Sequence, residues 1–117
     1  MPFNDAAMTV GANAIKAVVL YAQIHSGDPG AAGTANDHGV ARQAITWGST
    51  TGAGDFALSS PLAFTGLSAG ATCSHISLWS ASTGGTTYGN EALTGDTTAN
   101  SAGEFNVATL TADGSST

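Results

Sequence analysis

The apolar positions of this 117-residue chain fall in short clusters whose spacing changes along its length. From Asn4 to about Lys16, residues Ala6, Ala7, Met8, Ala12 and Ala14 favour a helix, with Asn4 or Asp5 placed to cap it and Gly11 weakening it. The run Lys16 to His25 (KAVVLYAQIH) then brings in β-branched and aromatic residues and stops at Ser26-Gly-Asp-Pro-Gly30, a strong turn signal. It reads as a strand with one buried face, formed by Val18, Leu20, Ala22 and Ile24, while the other face turns polar toward Gln23 and His25. Ala31 to Gly39 has no periodicity and reads as a loop. Val40 to Trp47 reads as a strand, with Gln43, Ile45 and Trp47 on one face and Arg42, Ala44 and Thr46 on the other.

Gly48 to Gly54 is a second small-residue loop, and the short apolar pieces Phe56 to Leu58 and Leu62 to Phe64 flank Ser59-Ser60-Pro61. The proline points to an edge or a strand start, because it cannot donate to a ladder. Thr72 to Ala81 carries large groups on both faces and reads as a central strand buried on both sides. Thr83-Gly84-Gly85 turns the chain, Thr86 to Tyr88 returns as a short hairpin arm, and Glu91 to Leu93 follows. Glu104 to Thr111 is the last predicted strand. Turn signals roughly every ten residues between short strands predict an all-β fold, a small antiparallel β-sandwich of Ig-like or jelly-roll-like type with a short N-terminal helix. The expected organisation is one domain over 1–117, with residues 1–16 as the helical segment and 112–117 as a polar tail.

Composition sharpens this picture. The chain holds 16 Gly, 22 Ala, 16 Thr and 12 Ser, but only 20 residues of Leu, Ile, Val and Phe, so its core must be thin. Disorder normally needs high charge as well, whereas here charged residues make up only 9%. A small domain with so thin a core gains from a partner surface. Two bases, Lys16 and Arg42, against eight acids give a net charge of −6, which excludes phosphate-backbone recognition and attraction to an anionic membrane. No basic n-region precedes an apolar stretch, and the densest apolar run, Ala17 to Ala22, is too short to span a bilayer. Cys73 is the only cysteine, so no intrachain disulfide forms, which suits assembly in a reducing cytoplasm.

Candidate chemistry is sparse. His25, Asp28, Asp37, His38 and His75 are the residues from which a metal or catalytic cluster would be drawn, but none shows a recognisable ligand spacing. The simpler reading is turn-forming Asp and strand-end His, with Asp28 closing the turn ahead of Pro29. No Gly-x-Ser-x-Gly elbow, P-loop or dinucleotide-binding fingerprint occurs, and Cys73 sits on a buried-looking strand without a neighbouring base. No enzymatic activity and no cofactor are expected. Trp47, Trp79, Tyr21 and Tyr88 suit either a sugar-stacking face or core packing. Arg42 is expected to form a structural ion pair with an acid in the loop region, within the chain or across a subunit boundary.

Three strings taken in order carry a resemblance: His25-Ser-Gly-Asp-Pro-Gly30, Gly39-Val-Ala-Arg-Gln-Ala-Ile-Thr-Trp47, and His75-Ile-Ser-Leu-Trp-Ser-Ala-Ser-Thr-Gly-Gly85 with Tyr88-Gly89. From about Ala14 to Thr111 the chain resembles a family of small virion structural proteins of tailed bacteriophages, described as tail-fibre-like, minor tail or head decoration proteins. The resemblance implies a β-sandwich on the outside of a virion, with Asp28, Arg42, Trp47 and Trp79 as scaffold positions and no catalytic residues. The expected function is a capsid decoration protein on the outer face of the head, bound to the major capsid protein lattice as a homotrimer or other homo-oligomer. The alternative is a minor tail or tail-fibre protein that touches the host surface.

Overall fold

The computed structural model describes residues 3–113; the expected polar tail lies outside these residues from Gly114 onward. A single helix, α1 (Asp5–Val18), precedes eight strands: β1 (Tyr21–His25), β2 (Gln43–Ala44), β3 (Phe56–Ala57), β4 (Leu62–Phe64), β5 (His75–Trp79), β6 (Thr87–Ala92), β7 (Phe105–Val107) and β8 (Thr111–Ala112). The fold is therefore all-β with one short N-terminal helix. The strands form a four-stranded sheet in the order β2-β1-β5-β6 and two two-stranded ribbons, β3 with β8 and β4 with β7, every pairing antiparallel.

The Asn4 side chain accepts a hydrogen bond from the Ala7 amide at 3.0 Å and starts α1, and Asp5 favours the positive end of the helix dipole. The helix runs two residues beyond the predicted Lys16, so Val18 belongs to it and not to the strand. Two more residues of modest helix propensity cost little once a helix is propagating. Leu20 still joins the sheet: its amide donates to the Trp79 carbonyl, and its carbonyl accepts from the Ile45 amide.

β1 and β5 pair over five residues at the centre of the sheet, Ile24 opposite Ile76 and Gln23 opposite Ser77. One face of this pair carries Ala22, Ile24 and Ile76, which pack with Leu62 and Phe64 of β4 and Phe105 and Val107 of β7 around Cys73, Ala99 and Leu110. This is the apolar core, and the alternation of β4 and β7, buried-exposed-buried, shows how few large residues it needs. The expected double-sided burial of the Thr72 to Ala81 segment is present over the shorter span His75–Trp79. β1 departs from its one-sided prediction, since Gln23 and His25 are buried as fully as Ala22 and Ile24. Period-2 polarity normally marks a solvated face; here that face is covered by protein.

Other boundaries also shift. Val40 to Trp47 pairs as regular strand only at Gln43–Ala44, because the chain then leaves the β1 edge: Ser59 donates to the Thr46 carbonyl and Trp47 bridges Leu58. On one predicted face Gln43, Ile45 and Trp47 are half-buried, while on the other Ala44 and Thr46 are exposed and Arg42 is half-buried. The Thr86 to Tyr88 arm and the Glu91 to Leu93 piece are one strand, β6, with an irregularity opposite Leu78 and Trp79. Glu104 to Thr111 divides into β7 and β8, which pair with different partners.

Candidate functional site

Two surfaces of the molecule invert the usual distribution of polar and apolar groups. The first is the sheet face opposite the core, where Gln23 and His25 of β1 and Ser77 and Trp79 of β5 project. The segment 26–42, which the sequence presents as a turn, an aperiodic loop to Gly39 and the start of a strand at Val40, lies across this face as a strap. Its carbonyls are the partners of the buried polar side chains: Gln23 Nε2 donates to the Val40 carbonyl at 2.6 Å, and the Ala35 carbonyl lies 2.9 Å from His25 Nδ1. Because a carbonyl only accepts, Nδ1 carries the proton and Nε2 of the neutral ring is an acceptor. The Ser77 hydroxyl, 2.7 Å away, donates to that Nε2 while its oxygen accepts the Trp79 indole N–H at 2.8 Å. The relay is complete, and no buried side-chain polar atom among the described residues lacks a partner. Burial holds the His25 pKa below its ordinary value, with the Ala35 hydrogen bond and the Asp37 carboxylate opposing.

Arg42 clamps the strap at its far end. Its guanidinium lies over the Trp79 ring, 4.0 Å from the centroid, and Nη1 donates at 2.8 Å to both the Ala81 and Gly84 carbonyls of the β5–β6 turn. Within the chain, Arg42 thus meets an indole and two carbonyls where an acid was expected, partners that a planar fork of donors suits. Asp28 closes its turn as expected, Oδ1 accepting from the Gly30 amide at 2.9 Å, while Pro29 behind it is fully buried. Asn36 Nδ2 donates to the Asp28 carbonyl, and Asn90 of β6 reaches the Gly30 carbonyl. Gly33 sits where a Cβ would stand 2.8 Å from Thr87 Oγ1 and 3.0 Å from the Trp79 ring, with φ at 72°, so only glycine fits there without displacement.

The four aromatic residues divide between the two sides of the sheet. Tyr21 and Trp79 are neighbours on the strapped face. Trp79 is only 6% exposed, beneath Arg42. Trp47 and Tyr88 line a groove on the other side, next to Leu78, and the Trp47 indole donates to the Val19 carbonyl at 2.8 Å while its ring meets Phe56 edge-on. No shared stacking platform results. The His and Asp candidates are equally dispersed: Asp37 Oδ1 accepts from the Gly39 amide, His38 Nε2 donates to the Thr72 carbonyl, and His75 Nδ1 contacts Ser74 Oγ. No group of three His, Cys, Asp or Glu side chains among the described residues is arranged to hold a metal ion. Ser77 and His25 have the separation of a nucleophile and its base, but both are sealed in the interior and the serine oxygen is occupied by the indole. Burial also pushes the Cys73 thiol up, keeping it protonated.

The second surface is α1 and its surroundings. Only Ala12 of the helix is buried, and all its remaining apolar residues are at least partly exposed. Grooves run along it, one bordered by Met8, Gly11 and Phe56 and the other by Ile15, Val18 and Tyr88. Phe3, Val10, Leu20 and Tyr88 add further exposed apolar area. Sequence reasoning missed this surface because an alanine-rich helix with a few large apolar residues looks ready to be buried. The signal available was Gly11 and the scarcity of large residues on any single face.

Neither the curated proteins nor the solved structures include one similar enough to this chain to count as a match. Residues 6–114 match a family model described as Podophage GP4 fiber I protein gp80. That span takes in almost the whole of α1, all eight strands and the strap, in agreement with the three strings that suggested a virion protein. The chain accordingly belongs to the Podophage GP4 fiber I protein gp80 family, a family of tailed-phage structural proteins.

Proposed function

We propose that the protein is a fibre component of a tailed-phage virion that works by protein–protein contact and carries out no catalysis. The observation behind this reading is the fibre family match over residues 6–114. Two features of the molecule support it. Among the described residues, His25 and Ser77 are spent on internal hydrogen bonds beneath the strap, and the flank around α1 leaves apolar area accessible that is suited to contact with another protein. The net charge of −6 keeps such a protein off packaged DNA.

A capsid decoration protein on the outer face of the head is the second reading. It is favoured by the small size of the body, 46 × 25 × 20 Å, in which no long shaft-forming helix or repeat appears among the described residues. Antibodies raised against the chain and imaged on purified virions separate the two. Label at the tail or on projecting fibres supports the first reading, and label distributed over the head faces supports the second. Virions that carry no label on either would overturn both.

A further inference from the structure

At six residues β6 is the longest strand described, and it stands at the end of the four-stranded sheet with β5 as its strand partner. The Leu93 amide donates to the Ser74 carbonyl, and the ladder sets Glu91 opposite Ile76 and Gly89 opposite Leu78. By the period of two, Gly89, Glu91 and Leu93 turn their backbone groups toward β5, and Asn90 and Ala92 turn theirs outward. Edge strands are commonly blunted by shortness, lysine, proline, a bulge or a covering loop. β2, at the opposite edge, is only two residues long, whereas β6 is long and holds neither Lys nor Pro. Its irregularity lies at the Tyr88 end, so Asn90 to Ala92 continue as regular strand.

The two ends of this edge differ in chemistry. Beside Tyr88, which is 49% exposed, an apolar groove is bordered by Leu78 and Trp47. A Cβ at Gly89, the next position, would meet no atom within 4 Å, so the space over it is open. At the other end a groove of about 490 Å³ lies between the stretch from Glu91 to Asp96 and the stretch from β7 to Asp113. The charged side chains among the described residues that line it are all acids, Glu91, Asp96 and Asp113, with Asp96 Oδ1 also accepting from the Thr98 amide.

We infer that the β6 edge takes up an extended segment of another virion protein as an added antiparallel strand, one that carries two basic residues and an apolar residue at alternate positions. The inference rests on the reading that this chain works by protein–protein contact. The added main chain bonds to the outward groups of Asn90 and Ala92, and its alternate side chains on the core side pass Leu93, Glu91 and Gly89 in turn. The bases then lie over the acidic groove, and the apolar residue fills the space over Gly89 beside Tyr88. A second copy of this chain is a poor occupant. Antiparallel pairing of two β6 strands through Asn90 and Ala92 sets Glu91 opposite Glu91, and like charges directly opposite are destabilising. The two bases of this chain are also engaged elsewhere, Lys16 with the Gly48 carbonyl and Arg42 with Ala81, Gly84 and the Trp79 ring.

The probe is the end-capped peptide Thr-Lys-Thr-Lys-Thr-Leu-Thr, titrated into the isotope-labelled full chain and followed by amide NMR. Signals from residues 88–94 are expected to shift, and the Asn90 and Ala92 amides to gain protection from solvent exchange. Glu91→Lys weakens binding by about fivefold or more and transfers the preference to the same peptide with glutamate in place of lysine. Ala92→Pro removes an outward donor and leaves the bonds to β5 in place, so peptide binding is lost while circular dichroism is unchanged. Shifts confined to α1 or no shifts at all, equal binding of the glutamate peptide by the parent chain, or Glu91→Lys binding the lysine peptide undiminished would overturn the inference. So would concentration-dependent protection of Asn90 and Ala92 without peptide, which makes a second copy the occupant. A virion that carries the antibody label, with a chain that ignores the peptide, overturns this inference alone and leaves the fibre reading standing.

Discussion

The strapped sheet face and the α1 flank are built from opposite materials and sealed to opposite degrees. Under the strap, Gln23, His25, Ser77 and Trp79 are polar or part-polar and almost wholly removed from water. Along the flank, Phe3, Val10, Ile15 and Val18 are apolar and open to it. The difference shows that burial in this chain follows hydrogen-bond completion as much as hydrophobicity. Each group under the strap meets a carbonyl or hydroxyl at 2.6–2.9 Å, so desolvation is offset, whereas no described residue covers the flank.

The sharpest way to break the contrast is Trp79→Ala. It removes the ring on which Arg42 rests and leaves a cavity under the strap, and the expected loss is about 3–5 kcal/mol in urea unfolding, enough to unfold a marginal small domain. Ser77→Ala comes next. It strands the indole N–H and His25 Nε2 in the interior at a cost of about 1–3 kcal/mol for each group, with little change in volume. A variant as stable as the parent protein would show that the relay is dispensable.

Acidification probes the same relay more gently. His25 has its pKa lowered in the folded protein, so below about pH 6.5 the unfolded chain takes up the proton before the folded one does. Stability from this group is therefore complete above that pH and declines as the pH falls toward the folded value. Urea midpoints measured between pH 7.5 and pH 5 should fall for the parent protein and flatten for His25→Gln. The smallest effect is expected on the flank. Gly11→Ala should raise stability by about 0.5–1 kcal/mol, since the new methyl group meets open space and alanine favours helix.

Much of the fold is legible in the order of residues. Asn4 and the following alanines announce α1, Ser26-Gly-Asp-Pro-Gly30 announces the turn that Asp28 closes, and Ile76 with its neighbours announces the central strand. The division of Glu104 to Thr111 between two ribbons is not legible, because nothing local in Ala108 and Thr109 distinguishes a continued strand from a change of partner. Of the four scaffold positions, Asp28 shows its role through a short-range turn. Arg42 and Trp47 bond to atoms distant in sequence, Ala81 and Gly84 for the first and Val19 for the second, and Trp79, whose indole bonds locally to Ser77, meets the distant Arg42 through its ring. Local pattern holds no information about such pairings, and so it suggested an ion pair for Arg42 where a stacked indole stands.

Short-range physics, meaning propensity, capping, turn chemistry and the period of apolar residues, is written in neighbouring residues and determined the all-β class, the N-terminal helix and the small apolar core. Which face of each element meets protein and which meets water depends on contacts closed across tens of residues. The 26–42 segment, in sequence a turn, an aperiodic loop and the start of a strand, became the cover that makes a polar sheet face an interior. The helix bonds to the 48–52 loop through Thr9, Asn13 and Lys16 along one flank, buries only Ala12, and leaves Val10, Ile15 and Val18 as surface.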